Sequence, residues 1–171
     1  MKEVKLVAFD IDGVLTDGRL YYGQNGEESG LKVFNAQDGL GITLLRNAGF
    51  KVAVISGRST TSSRRRMEDL KVDFIVLGET DKAAALRKIH QQMHIGFEHT
   101  VYMGDDLIDI AAMQLAAIAY APQNAVKQVK RHADYVCAHS GGEGAVREAI
   151  EHLLAGLGID SLTLLSKRVV Q

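Results

Sequence analysis

Asp10 and Asp12 stand one residue apart at the end of an apolar run, in the stretch VAFDIDGVLTDG from Val7 to Gly18. On an extended chain, residues two apart point to the same side, so the two carboxylates repel each other unless a positive charge joins them. A hard divalent cation with oxygen ligands, most simply Mg²⁺, supplies that charge. Groups suited to the same chemistry follow at later points: Ser56 after Val52 to Ile55, Lys82 in Thr80-Asp81-Lys82, and Gly104-Asp105-Asp106-Leu107-Ile108-Asp109 after Val101 to Met103. Asp105 ranks first as the second metal carboxylate. Asp106 could reach the ion through water or orient Asp105, whereas Asp109 could equally be the first-turn acid that favours a helix N-terminus.

The elements that must position these groups are legible as an alternation. Short apolar runs at Val4 to Phe9, Lys51 to Ile55, Asp73 to Leu77, Thr100 to Met103, Ala117 to Ala121 and Asp134 to Cys137 are each followed by helical spacing. That order predicts βα units, a central parallel sheet and a three-layer Rossmann-like α/β fold. Ligands of open parallel sheets collect beyond the carboxyl ends of the strands, so the acidic pair, Ser56, Lys82 and the second acidic cluster converge on one rim. Asp38 is expected to cap a helix ending near Gly49, and Thr80 one running through Leu86 and Ile89. Ala145, Val146, Ala149, Ile150, Leu153, Leu154 and Leu157 form the apolar stripe of the last clear helix, closed by Gly156 and Gly158.

One segment departs from the alternation. In Leu20 to Phe34, two β-prone patches flank Asn25-Gly26, whose positive φ angles suit a tight turn, so a β-hairpin insertion is expected over about residues 19–35. Such a hairpin acts as a lid or pairs with other subunits through its edges, and its small size favours the second.

Composition narrows the function. The chain has 171 residues, 46% apolar and 24% charged, which predicts one soluble domain over 1–171. A net charge of -1 and a pI near 6.6 create no general attraction for nucleic acid or an anionic membrane. Cys137 is the single cysteine, so no internal disulfide or thiolate cluster can form. The start, MKEVKLVAFD, lacks a long apolar core or cleavage site, and a cytoplasmic location is expected.

Asp10-Ile11-Asp12-Gly13-Val14-Leu15-Thr16 matches the DxDGxxT signature of the haloacid dehalogenase-like phosphohydrolases, and Ser56, Lys82 and Gly104-Asp105-Asp106 follow in that family's order. The short chain, the hairpin in place of a cap domain and Gly141-Gly142-Glu143-Gly144-Ala145-Val146-Arg147-Glu148 resemble, more narrowly, the 3-deoxy-D-manno-octulosonate 8-phosphate phosphatase family. The resemblance implies a Mg²⁺-dependent phosphomonoesterase of lipopolysaccharide precursor synthesis, in which Asp10 is the nucleophile and Asp12 the acid and base. It also implies metal ligation by Asp10, Asp105 and the Asp12 backbone carbonyl. Thr16, Ser56, Gly57, Arg58, Arg66 and Lys82 join Asp12 in holding the substrate, Arg66 across a subunit boundary, in a homotetramer whose hairpins build a central barrel.

Competing readings attach to several of these residues. Three adjacent arginines, Arg64 to Arg66, point different ways on a helix, so solvated side chains are the ordinary outcome for two of them, while Arg58 and Arg66 suit a substrate carboxylate. His90 and His94 have zinc-ligand spacing but no HExxH glutamate and read as a solvated face. Gly141 to Gly144 is either a flexible lead-in to the last helix or part of the closure of a neighbouring site. Rival functions are a nonulosonate 9-phosphate phosphatase, in which the resemblance implies an acid at the Arg58 position, a signalling receiver, and a catalytically silent oligomerisation domain.

Overall fold

The computed structural model describes residues 3–166, so the ends of the expected 1–171 unit lie outside the described residues. Leu6–Phe9 (β1), Lys51–Ser56 (β2), Phe74–Leu77 (β3), Thr100–Met103 (β4), Ile118–Ala121 (β5) and Tyr135–Val136 (β6) form a sheet of order β3-β2-β1-β4-β5-β6. Every pairing is parallel. The expected strands are all present: β4 has its expected bounds, β2 runs one residue further to Ser56, and the other four are shortened by one or two residues.

Side chains alternate between two buried faces. Val7, Phe9, Val52, Val54, Val101 and Met103 pack on one side with Ala36–Asn47 (α1) and Ala145–Gly156 (α6). Leu6, Ala8, Ala53, Ile55 and Tyr102 pack on the other with Lys82–Met93 (α3) and Ile110–Leu115 (α4). Both faces of a parallel sheet are thereby covered, which makes three layers and explains why these strands read as continuous apolar runs. Thr61–Asp69 (α2), Lys127–Lys130 (α5) and Ser161–Ser166 (α7) complete the described helices. None of them is long and apolar enough to cross a membrane.

Strand order reverses at β1, which connects onward to β2 on one side and pairs with β4 on the other. A crevice opens at such a switch point.

Two expected caps are displaced. Asn35, not Asp38, caps α1, accepting from the Gln37 and Asp38 N–H groups. Asp38 is buried and its Oδ1 accepts the Arg147 N–H at 2.8 Å, serving the first turn of α6, whose own cap residue Gly144 has no side chain to offer. Asp81 rather than Thr80 caps α3, through the Ala84 N–H at 2.9 Å.

The expected hairpin is reduced to one antiparallel bridge, Tyr22 to Glu28. Gly26 has φ +79°, but Asn25 is not in the left-handed region, and the turn is closed by the Gly26 N–H on the Gly23 carbonyl at 3.0 Å. With no third strand beside them, the arms lack the pairing that stabilises a short ribbon.

Candidate active site

Asp10 directly follows β1, and its N–H donates to the Met103 carbonyl at 3.0 Å, so the β1–β4 ladder itself sets its position. Lys82 opens α3 and is fully buried, with Nζ 2.9 Å from Asp10 Oδ1 and 2.7 Å from Asp109 Oδ1. Asp109 lies in a single 3₁₀ turn, Leu107–Asp109, and is wholly enclosed. Its Oδ1 also accepts the Tyr102 hydroxyl at 2.9 Å, and its Oδ2 accepts the N–H groups of Asp105 and Asp106, each at 3.1 Å. With four donors engaged, Asp109 holds Lys82 and the Asp105 backbone in place and has little capacity left for an ion.

Asp105 is differently placed. Its Oδ1 is buried without a hydrogen-bond partner, and carboxylate oxygens of Asp10, Asp105 and Asp109 lie within 4.8 Å of one another. An orphaned acceptor beside a second carboxylate is the donor set of a hard cation, so Asp105 and Asp10 fit a divalent ion such as Mg²⁺. Two glycines make the approach possible. A Cβ on Gly13, which has φ +91°, would lie 2.0 Å from Asp105 Oδ2, and one on Gly104 would lie 2.3 Å from the Asp109 Cβ.

The electrostatics agree. Burial, then the Asp109 charge, raises the Asp10 carboxyl from 3.8 to about 7 even though Lys82 pulls it down. Burial and then the Asp10 charge raise Asp105 to about 8. Burial works against the Lys82 ammonium, yet Asp10 and Asp109 outweigh it and the net shift is upward. Asp12 stands apart from the three carboxylates and is paired with Lys32. Asp10, Asp105 and Asp109 thus cluster around a single ammonium, that of Lys82, an imbalance that a divalent cation would offset.

Asp10, Asp12, Ser56, Gly57, Arg58, Lys82, Asp105 and Asp106 all line one cleft of about 260 Å³. Ser56 is buried at the end of β2, and its hydroxyl oxygen accepts the Arg58 N–H at 3.2 Å, which turns the chain across the cleft. Asp106 is exposed and caps the 3₁₀ turn through the Leu107 N–H.

Two expected substrate contacts are not brought to the cleft within this chain. The Thr16 hydroxyl is spent inside its own loop, donating to the Ile11 carbonyl and accepting the Gly18 N–H, both at 3.3 Å. Arg66 lies against α1, where a Cβ on Gly39 would come within 2.3 Å of its Nη2. Arg58 does reach the cleft but is paired with Glu28.

Lys32, Tyr102 and Asn124 were not singled out from the sequence. Asn124 donates to the Gly13 carbonyl at 3.0 Å and accepts the Gly141 N–H at 2.7 Å, while the Gly142 N–H donates to the Val14 carbonyl at 3.1 Å. The Gly141 to Gly144 segment therefore braces this chain's own Asp10 to Gly18 loop. A tyrosine one residue from the end of a buried strand, close before Gly104-Asp105-Asp106, is a usable signal, because its hydroxyl needs a partner; Lys32 carries none.

Residues 74–150 match the family model described as haloacid dehalogenase-like hydrolase. The 3-deoxy-D-manno-octulosonate 8-phosphate phosphatase of Haemophilus influenzae is 39% identical over 162 residues, covering 95% of this chain and 89% of that protein. The chain belongs to this phosphatase family of haloacid dehalogenase-like hydrolases. The namesake enzyme of Escherichia coli K12 is 37% identical across 92% of this chain and 82% of its own. A crystal structure of the Moraxella catarrhalis phosphatase with magnesium, phosphate and a KDO molecule superposes with TM-score 0.85 at 38% identity, covering 90% of this chain and 87% of that one. As a member of the family the chain is an enzyme, a phosphoric monoester hydrolase.

Proposed function

We propose that this enzyme hydrolyses 3-deoxy-D-manno-octulosonate 8-phosphate to the free sugar acid and phosphate, with Mg²⁺ held by Asp10, Asp105 and the Asp12 backbone carbonyl. The observation that carries the reading is the buried Lys82 beside Asp10, with the orphaned Asp105 oxygen close by. The bound cation offsets phosphoryl charge as a Lewis acid. The Asp10 carboxylate attacks phosphorus and forms an aspartyl-phosphate, while the sugar oxygen departs with a proton from Asp12. Water then attacks the same phosphorus, gives its proton to Asp12 and releases phosphate from Asp10. Lys82 neutralises the phosphoryl oxygens, and Ser56 with the Gly57 and Arg58 backbone orients them.

An arginine rather than an acid at position 58 supports the eight-carbon substrate over a nonulosonate 9-phosphate. Tyr22, Leu31 and Val33 expose large apolar side chains on the arm, at 63%, 58% and 57%, which supports self-assembly into a tetramer. Arg66 would then serve a neighbouring site. Residues 1–171 would act as one catalytic unit in the cytoplasm, in lipopolysaccharide precursor synthesis.

The test is a panel of sugar phosphates assayed with Mg²⁺ and after chelation, beside Asp10→Asn. Turnover of the eight-carbon acid is expected to be fastest and to vanish without the metal. Asp10→Asn is expected to lose on the order of 10⁴-fold or more, because an amide is a poor nucleophile. Faster turnover of the nine-carbon compound would move the substrate assignment, and an active Asp10→Asn would remove the nucleophile.

A further inference from the structure

Lysine is among the residues least often enclosed by a protein, and when it is enclosed it has a partner. Lys32 comes from the irregular arm after Glu28, yet its side chain is only 2% exposed and its ammonium meets Asp12, whose side chain is 19% exposed. The arm that delivers it is tied down twice more. Glu28 pairs with Arg58 at the cleft, and the Ser62 hydroxyl donates to the Gly30 carbonyl from the first turn of α2. Three attachments within residues 28–32 tie this segment to Asp12, Arg58 and the first turn of α2, although it contains no regular strand.

We infer that Lys32 is a positioning residue for the reaction: its ammonium holds the Asp12 carboxylate toward the arm, away from the cation ligands and facing the leaving oxygen. This rests on the assignment of Asp12 as the acid and base. The geometry gives the physical reason. Carboxylate oxygens of Asp10 and Asp105 lie within 4.8 Å of each other, and a further free carboxylate near them would be drawn onto a bound cation. A carboxylate on the metal cannot carry a proton between sugar oxygen and water. A charge-assisted hydrogen bond from the opposite side counters that pull and fixes one rotamer of Asp12. Misplacement of a reacting group by about 1 Å can cost on the order of 10²-fold in rate.

Lys32→Met and Lys32→Gln test this in the full-length enzyme with Mg²⁺, alongside Lys32→Arg, Asp12→Asn and the Asp12→Asn/Lys32→Met double variant. Both neutral variants should lose roughly 10- to 100-fold in kcat with KM changed by less than about threefold. Lys32→Arg should recover part of the loss, and all single variants should keep the rise in Tm that Mg²⁺ gives the parent. The decisive readout is the double variant: if Lys32 acts through Asp12, removing it in the Asp12→Asn background should cost less than about twofold more. Independent, multiplying losses would overturn the proposal, as would parental kcat in Lys32→Met beside an inactive Asp12→Asn. Parental turnover in Asp12→Asn itself would instead overturn the acid-base assignment underneath.

Discussion

At the carboxyl ends of β1 and β4, Lys82 and Asp109 are sealed from solvent and every partner is delivered by a strand, a helix or the turn between them. Across the cleft, the arm over residues 20–34 reaches the same site with Lys32 and Glu28 but has only one bridge of regular pairing and exposes Tyr22, Leu31 and Val33. The first region is built by the regular elements themselves: Asp10 follows β1, Lys82 opens α3 and Asp109 ends the turn after β4. The second is attached by two ion pairs and a hydrogen bond rather than by regular pairing, and its side chains can change with little cost to the core. Damage to the rim should therefore appear as lost stability and lost activity together, and damage to the arm as lost activity alone.

The largest effect is expected from Asp109→Asn. The amide cannot accept the two backbone N–H groups and both side-chain donors that Asp109 now satisfies, and it leaves Lys82 with Asp10 as its single carboxylate partner of the two. Removing one partner of a buried ion pair costs about 3–5 kcal/mol. For a domain of this size that is a fall of roughly 10 °C in Tm by calorimetry. A Tm within about 2 °C of the parent would show the rim to be as detachable as the arm.

A smaller effect separates the regions by pH. Asp10 is raised from 3.8 to about 7 and Asp105 to about 8, so the metal-free folded chain keeps protons that the unfolded chain has released. Stability without metal must then fall as pH rises from about 4 toward 8, because the unfolded state binds fewer protons over that window. A cation takes the place of those protons and binds better once they leave. The rise in Tm on adding Mg²⁺ should thus be greater at pH 8 than at pH 6. Equal increments at the two values would mean that Asp10 and Asp105 do not contact the ion.

The same contrast explains what the sequence made legible. Each strand is an apolar run, and Asp10, Ser56 and Asp105 each follow one, so their convergence needs only the rule for parallel sheets. Asp109 resisted a single assignment because its donors come from β4, α3 and the intervening backbone, a combination that no local pattern encodes. The caps slipped for a related reason: Asp38 looks like a local cap, but α6 claims its carboxylate from 109 residues away. Lys32 was invisible. A lysine in a turn-rich stretch ordinarily belongs in solvent, and only the folded arm places its ammonium on Asp12. Arg66 shows the converse, a plausible ligand by residue type that packs over Gly39 in its own chain.

The smallest expected effect concerns Arg58, where the two regions compete for one side chain. Its guanidinium suits a substrate carboxylate, yet Glu28 already occupies it, and both partners keep some solvent contact at 39% and 27% exposure. Pairs of that kind are worth roughly 0.2–1 kcal/mol, too little to exclude an acidic substrate but enough to tax its binding. Glu28→Gln frees the guanidinium without removing bulk. KM for an acidic sugar phosphate should fall by about two- to fivefold at low ionic strength, with the gain shrinking as salt is added. A neutral sugar phosphate should show no change. A rise in KM for the acidic substrate would mean that Glu28 holds Arg58 in its productive position, and the arm would then belong with the prebuilt rim rather than opposite it.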